Sequence, residues 1–174
     1  MKLYFEPNQA LWQPERYHYA AEQMMLTLFP GEKPEYPEFL SDKMEGEENA
    51  ARFSACLEGD QVRISAQAVH GGSEGEGEEF FPAEELAQPM ERVYHVTQHA
   101  LKMAFYQAGT ALLGSEPPWG ALTGVRPVKL PTRAMKRGLT SEQAKEELEQ
   151  EYRVSPVRAQ LALDCAQASL AVDR

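Results

Sequence analysis

Between Arg126 and Arg137 the chain sets five cations, Arg126, Lys129, Arg133, Lys136 and Arg137, in twelve residues with no acid among them. An arginine can grip a carboxylate through two parallel hydrogen bonds, and a lysine acts as a compact point charge, so a shared face of such side chains suits an anionic ligand. On a helix starting near Pro127 or Pro131, Lys129, Arg133 and Lys136 or Arg137 follow the i, i+4, i+7/i+8 spacing that brings side chains to one face. Trp119, a few residues upstream, supplies a ring that can anchor a turn against a core or stack on a planar ligand. The competing reading is a basic face that is merely solvated.

Other chemistry-bearing residues carry less. His95 and His99 are four apart on an expected helix, a separation that can place two imidazoles on one metal, but no glutamate completes an HExxH pattern and no cysteine is near. They read as exposed or helix-lining histidines. Glu74, Glu76, Glu78 and Glu79 lack the Asp/Asn spacing and closing glutamate of a calcium loop. Cys56 and Cys165 stand 109 positions apart, suggesting neither a metal pair nor a disulfide framework, and are expected to be buried thiols. Within this chain no catalytic residue, no metal ligand and no cofactor-binding residue is assigned.

The elements that position these residues follow from composition and period. With 174 residues, 43% of them hydrophobic, the chain can bury a core. The formal charge of −10 argues against general nucleic-acid binding, which needs a basic surface to release counterions. No apolar run reaches membrane-spanning length, and the N-terminus lacks the pattern of a signal peptide, so a cytoplasmic protein with no membrane partner is expected. Residues 1–116 hold 20 acids against 8 Lys and Arg, whereas residues 117–174 hold 7 against 9. That shift from −12 to +2 divides the chain.

In the acidic part, "KLYFEP" predicts a strand, and Tyr17, Ala20, Ala21, Met24, Met25 and Leu28 predict a helix with one buried face, ended by Pro30 and Gly31. Residues 51–69 predict a hairpin about Gly59-Asp60, which pairs Leu57 with Val62, Ala55 with Ile64 and Phe53 with Ala66. The alternating Gly and Glu of "HGGSEGEGEEF" is read as a mobile acidic loop. From Pro89 to Leu113 a helical stripe returns through Met90, Tyr94, Leu101, Ala104, Phe105, Ala108 and Leu112, stopped by Gly114 and Pro117.

The basic part predicts helices. Thr140 and Gln143 form a capping box, and Ser155 with Pro156 starts a second helix. That last helix carries two apolar stripes, Val157, Leu161 and Ala168 on one side and Ala159, Leu163, Ala166 and Leu170 on the other, so it calls for a second partner. The expected fold class is α+β: a small antiparallel sheet packed on helices in residues 1–116, a rigid connector with a basic helix in residues 117–138, and an αα-hairpin in residues 139–174.

The stretch "PPWGALTGVRPVKL", followed by "GLTSEQAKEELEQEYRVSPVRAQLALDCA", resembles the segment that precedes the radical SAM domain in coproporphyrinogen dehydrogenases of the HemZ type, relatives of oxygen-independent coproporphyrinogen III oxidase. The resemblance covers residues 117–170 closely, with Trp119-Gly120, Leu122 to Pro127 and Lys129 as its most specific part. Residues 1–116 fit in the order of elements. The resemblance implies an oxidoreductase of haem biosynthesis that uses a [4Fe-4S] cluster and S-adenosylmethionine to turn propionate side chains into vinyl groups. Such a cluster needs a CxxxCxxC motif, which this chain lacks, so the expectation is an accessory region whose cofactors belong to a separate catalytic domain. Trp119, Arg126, Lys129 and Arg133 are then the candidate contacts to an anionic porphyrinogen or to that domain. An RNA- or protein-binding module and a purely structural cap are the alternatives.

Overall fold

A computed structural model describes residues 1–8, 10–37, 44 and 46–172. The chain divides into two compact units, Met1–Ser115 and Glu116–Arg174.

In the first unit, strand β1 (Lys2–Phe5) leads through a 3-10 turn at Pro14–Tyr17 into helix α1 (His18–Leu28). Pro14 occupies the first turn, where a missing N–H is tolerated. Ala20, Ala21, Met24, Met25 and Leu28 are all buried, so the methionine pair is core. Strands β2 (Asn49–Glu58), β3 (Gln61–His70) and β4 (Ser73–Pro82) follow, then helix α2 (Met90–Leu113). They form one four-stranded sheet in the order β1-β2-β3-β4. The β2–β3 hairpin has the expected register, Leu57 to Val62, Ala55 to Ile64 and Phe53 to Ala66, with Gly59 at a φ of 63° in the turn. The alternation places Phe53, Ile64 and Ala66 in the core.

Two expectations are corrected. The sheet is mixed rather than antiparallel throughout: β1 runs parallel to β2, pairing Leu3 with Ala51 and Phe5 with Phe53. A parallel partner needs a crossover, and the segment containing α1 supplies it. The acidic glycine-rich stretch is strand β4, hydrogen-bonded to β3 along its whole length, not a mobile loop. Gly71 and Gly72, both at positive φ, make the two-residue turn that joins the strands. Beyond them the Gly/Glu alternation is a period of two. A Cβ on Gly75 would lie 2.2 Å from the Ala108 carbonyl oxygen, and one on Gly77 2.2 Å from that of Ala104. The bare backbone of β4 therefore lets α2 sit directly on the sheet, while Glu74, Glu76 and Glu78 stay exposed.

Helix α2 closes the core. Leu101, Ala104, Phe105 and Ala108 are buried, and the Phe105 ring meets Phe53 edge-on at 5.0 Å. Met90, expected in this stripe, is 61% exposed because it sits in the first turn, outside the packed part of the helix. Helices α1 and α2 approach closely at Gly109, where a Cβ would come within 2.6 Å of Leu28 Cδ1.

The second unit holds helices α3 (Lys129–Lys136), α4 (Ser141–Glu151) and α5 (Pro156–Val172). The capping box of α4 forms: the Gln143 N–H donates to Thr140 Oγ1 at 3.2 Å, and the Thr140 N–H donates to Gln143 Oε1 at 2.9 Å. Leu122, Leu148, Val154, Ala159 and Ala162 make one core cluster; Ala134, Ala144 and Leu163 make another. The segment read as a connector packs into this unit, since α3 lies against both α4 and α5. Of the two stripes on α5, the one through Ala159, Leu163 and Ala166 is buried, and Val157, Leu161 and Ala168 are exposed. Among the described residues, no helix is long and apolar enough to cross a membrane.

Candidate anion-recognition face

Helix α3 carries Lys129, Arg133 and Lys136; Arg126 stands just before it and Arg137 caps its C-terminus. The inner side of the helix is made by buried Pro131 and Ala134, with half-buried Leu130 packed on one core cluster and Met135 on the other. Arg126, Lys129, Arg133, Lys136 and Arg137 are all exposed. Arg137 is engaged, its guanidinium reaching Glu147 of α4 at 3.1 Å. Among the described residues, no ion pair involves Arg126, Lys129, Arg133 or Lys136. The first turn of α3 holds Lys129 and no acid, so this cation stands beside the positive end of the helix dipole. A carboxylate arriving there would neutralise both.

Trp119 has a different role from the three cations. It is half-buried against the Leu122, Leu148 and Val154 cluster, and the Arg158 guanidinium lies 5.4 Å from its ring centroid. The stacking surface is thus partly taken by the chain's own arginine. Around Trp119 the backbone is tightly held: the Ala121 N–H donates to the Tyr152 carbonyl at 2.7 Å and the Ser155 N–H to the Pro118 carbonyl at 3.3 Å. Gly120, at a φ of 57°, lies so close that a Cβ would be 2.2 Å from the Tyr152 oxygen. The proline- and glycine-rich stretch is therefore a joint held tightly against the turn between α4 and α5.

The remaining candidates do not assemble. His95 is exposed and 4.0 Å from Glu91, and among the described residues no group of three or more His, Cys, Asp or Glu side chains could hold a metal. The thiols are not buried as expected: Cys56 is half-buried on the sheet and Cys165 exposed on α5. Cys56 alternates outward along β2, and Cys165 points away from the α5 core stripe.

Two concavities in the first unit were not anticipated from the sequence. One, of about 540 Å³, lies on the polar sheet face and includes Arg52, Ser54, Arg63, Ser65 and Gln67. Its arginines are paired, Arg52 with Glu6 at 2.6 Å and Arg63 with Glu78 of the same concavity at 3.4 Å and with Glu58 outside it at 2.8 Å. The other, of about 720 Å³, is lined by Phe5, Pro14, His18 and Tyr36 among others. There the His18 and Tyr36 rings stack at 3.9 Å and the Tyr36 hydroxyl donates to Glu22 at 2.6 Å. Burial holds the His18 imidazole below its usual pKa. The alternation of β2 and β3 could have revealed the first; the second depends on residues brought together from distant parts of the chain.

Comparison with family models, with curated proteins and with solved structures finds no match.

Proposed function

We propose that this chain is an accessory region of an oxygen-independent coproporphyrinogen III oxidase-like enzyme of the radical SAM family, and that the basic face of α3 receives carboxylates of its porphyrinogen substrate. The observation that carries the reading is the set Arg126, Lys129, Arg133 and Lys136, four exposed cations with no ion pair among the described residues, the last three on α3 and Arg126 in the segment just before it. A coproporphyrinogen carries four propionates, and bidentate arginine contacts suit them. The resemblance of residues 117–170 to the HemZ type supplies the identity of the anion.

The cofactors of that reaction do not fit this chain. A [4Fe-4S] cluster open to S-adenosylmethionine takes three thiolates, and the two cysteines here fall in different units. The cluster and S-adenosylmethionine belong to a separate catalytic domain, and the region acts by positioning. The half-covered Trp119 ring counts against the RNA-binding alternative, as does the formal charge of −10.

Titration of coproporphyrin III, the stable oxidised tetracarboxylate, against the chain tests the proposal. Three exposed charge contacts at about 0.2–1 kcal/mol each predict a 3- to 150-fold loss of affinity in the Arg126→Glu/Lys129→Glu/Arg133→Glu variant. The tetramethyl ester should bind no better to the wild type than to the variant. Equal affinity of wild type and variant for coproporphyrin would overturn the assignment.

A further inference from the structure

The concavity of about 720 Å³ in the first unit falls within the roughly 300–1,000 Å³ of ligand pockets, and its wall is aromatic. Rings from three parts of the chain stand there in a column. Phe5 of β1 meets the His18 ring of α1 at 5.1 Å, and His18 stacks on Tyr36 at 3.9 Å with 14° between the planes. One face of Tyr36 lies on His18, yet the residue is 37% exposed, so its other face is open. The ring is held in place from both ends. The Leu3 N–H donates to the Glu35 carbonyl at 2.8 Å and the Glu35 N–H to the Met1 carbonyl at 3.1 Å, while the Tyr36 hydroxyl donates to Glu22 Oε1 at 2.6 Å. The open face is thus fixed before any ligand arrives, which lowers the ordering cost of binding.

The charge at this wall has one sign. Among the described lining residues Glu15 carries a full charge at neutral pH, because burial holds the His18 imidazole below its usual pKa and residues such as Pro7, Gln13, Pro14 and Pro37 are uncharged. Neither Glu15 nor Glu22 forms an ion pair with a described residue. An anion would be repelled here, and a neutral apolar guest would leave the carboxylates uncompensated. Two kinds of cation remain. An ammonium is a compact, strongly hydrated point charge, whereas a guanidinium is flat and weakly hydrated and can stack on a ring while its N–H edge faces a carboxylate. The alkyl stem behind it can lie along proline and Phe5 surface.

From this we infer that the concavity binds a guanidinium group, stacked on the open face of Tyr36 and paired with Glu15, with Glu22 at the Tyr36 hydroxyl adding to the negative field. A free alkylguanidine and an arginine side chain of a partner protein share this chemistry. None of the α3 cations takes part, so the inference stands apart from the porphyrinogen reading.

Nuclear magnetic resonance titration of the 174-residue chain with Nα-acetyl-arginine amide tests it, beside the lysine analogue and the citrulline analogue, an uncharged isostere. The arginine probe should give saturating shifts at Tyr36 and His18 with a Kd on the order of 1 mM. Loss of stacking charge and ion pair together should make the citrulline probe roughly 3- to 30-fold weaker. Glu15→Gln/Glu22→Gln keeps both acceptor oxygens and should weaken the arginine probe about 2- to 30-fold. Tyr36→Leu should cost about 2- to 5-fold, and Tyr36→Phe, which keeps the ring face, less than about 2-fold, with thermal unfolding confirming that each variant folds. Agmatine and acetyl-Ala-Arg-Ala amide separate the sources. Equal affinities assign a free guanidine, and a peptide about 10-fold tighter assigns an arginine of a partner chain. Absence of shifts at Tyr36 and His18, citrulline or lysine binding as tightly as arginine, or an unchanged Kd in the Glu15→Gln/Glu22→Gln variant would overturn the inference.

Discussion

Replacing Gly75 or Gly77 by alanine tests how α2 is seated on the sheet. The new Cβ at Gly77 would lie 2.2 Å from the Ala104 oxygen, 2.6 Å from Gln107 Cβ and 2.7 Å from the Ala108 nitrogen; at Gly75 the nearest atom is the Ala108 oxygen, at 2.2 Å. An ordinary carbon–oxygen contact is about 3.3–3.6 Å, so α2 must retreat by on the order of 1 Å. The obstacle is helix backbone, which cannot rotate away as a side chain can. Retreat opens a gap under Phe105 and Leu101, and a gap of about 0.5–1 Å forfeits a quarter to a half of each dispersion contact there. Overpacking costs about 1–3 kcal/mol at a typical core site, and backbone contact on both sides places these sites at the upper end. Relief of the glycine entropy offsets about 0.5–1 kcal/mol of this.

Each variant should therefore lose about 2 kcal/mol, which in a unit of this size lowers Tm by roughly 8–16 °C. Because a single retreat of α2 relieves both clashes, the double variant should lose less than the sum. Urea and thermal unfolding followed by circular dichroism measure this, with Glu76→Ala on the exposed side of the same strand as the control, expected to shift by less than about 0.5 kcal/mol. If Gly75→Ala and Gly77→Ala both fall inside the control's range, the account of β4 as a strand packed bare against α2 is wrong.

Three further outcomes follow. The Glu32 carboxyl is held below its ordinary value, chiefly by the hydrogen bond from the Met1 ammonium at 2.6 Å and then by His70, against an opposing burial effect. Its folded pKa lies below the unfolded one, so the contribution is complete above about pH 4.3 and lost as pH falls through the folded value. Glu32→Gln should cost about 1–3 kcal/mol at pH 7 and much less near pH 2, read from urea midpoints across that range. Thr140→Ala removes the capping box of α4 and should cost about 1 kcal/mol in the second unit, with Thr140→Ser recovering most of it. Gly120→Ala meets both a left-handed φ and the Tyr152 carbonyl, so hydrogen exchange in α3 and α5 should rise to that of an unfolded segment; protection at wild-type level would refute the joint.

What the sequence reveals is local. The β2–β3 register could be read because a two-residue turn sets it and every alternate side chain then confirms it. Strand β1 also shows as a short apolar run, but its parallel pairing with β2 is a contact across some fifty residues, which no local pattern encodes. Strand β4 misled because glutamate and glycine are poor strand formers, and glycine buried against a helix has no side chain to signal its burial. In the second unit the spacing of Lys129, Arg133 and Lys136 was visible, whereas the Arg137–Glu147 pair depends on how α4 packs beside α3. The two stripes of α5 were equally apolar in sequence; the core cluster selected one and left the other exposed.

The most direct test of the central proposal is an anaerobic assay of the longer polypeptide it requires, reconstituted with iron and sulfide and supplied with S-adenosylmethionine, a reductant and coproporphyrinogen III. Expected are a CxxxCxxC motif outside these 174 residues, cluster absorbance, and conversion of propionates to vinyl groups with a KM raised by charge reversal at Arg126, Lys129 and Arg133. A polypeptide with no such motif, no cluster and no turnover would contradict the proposal.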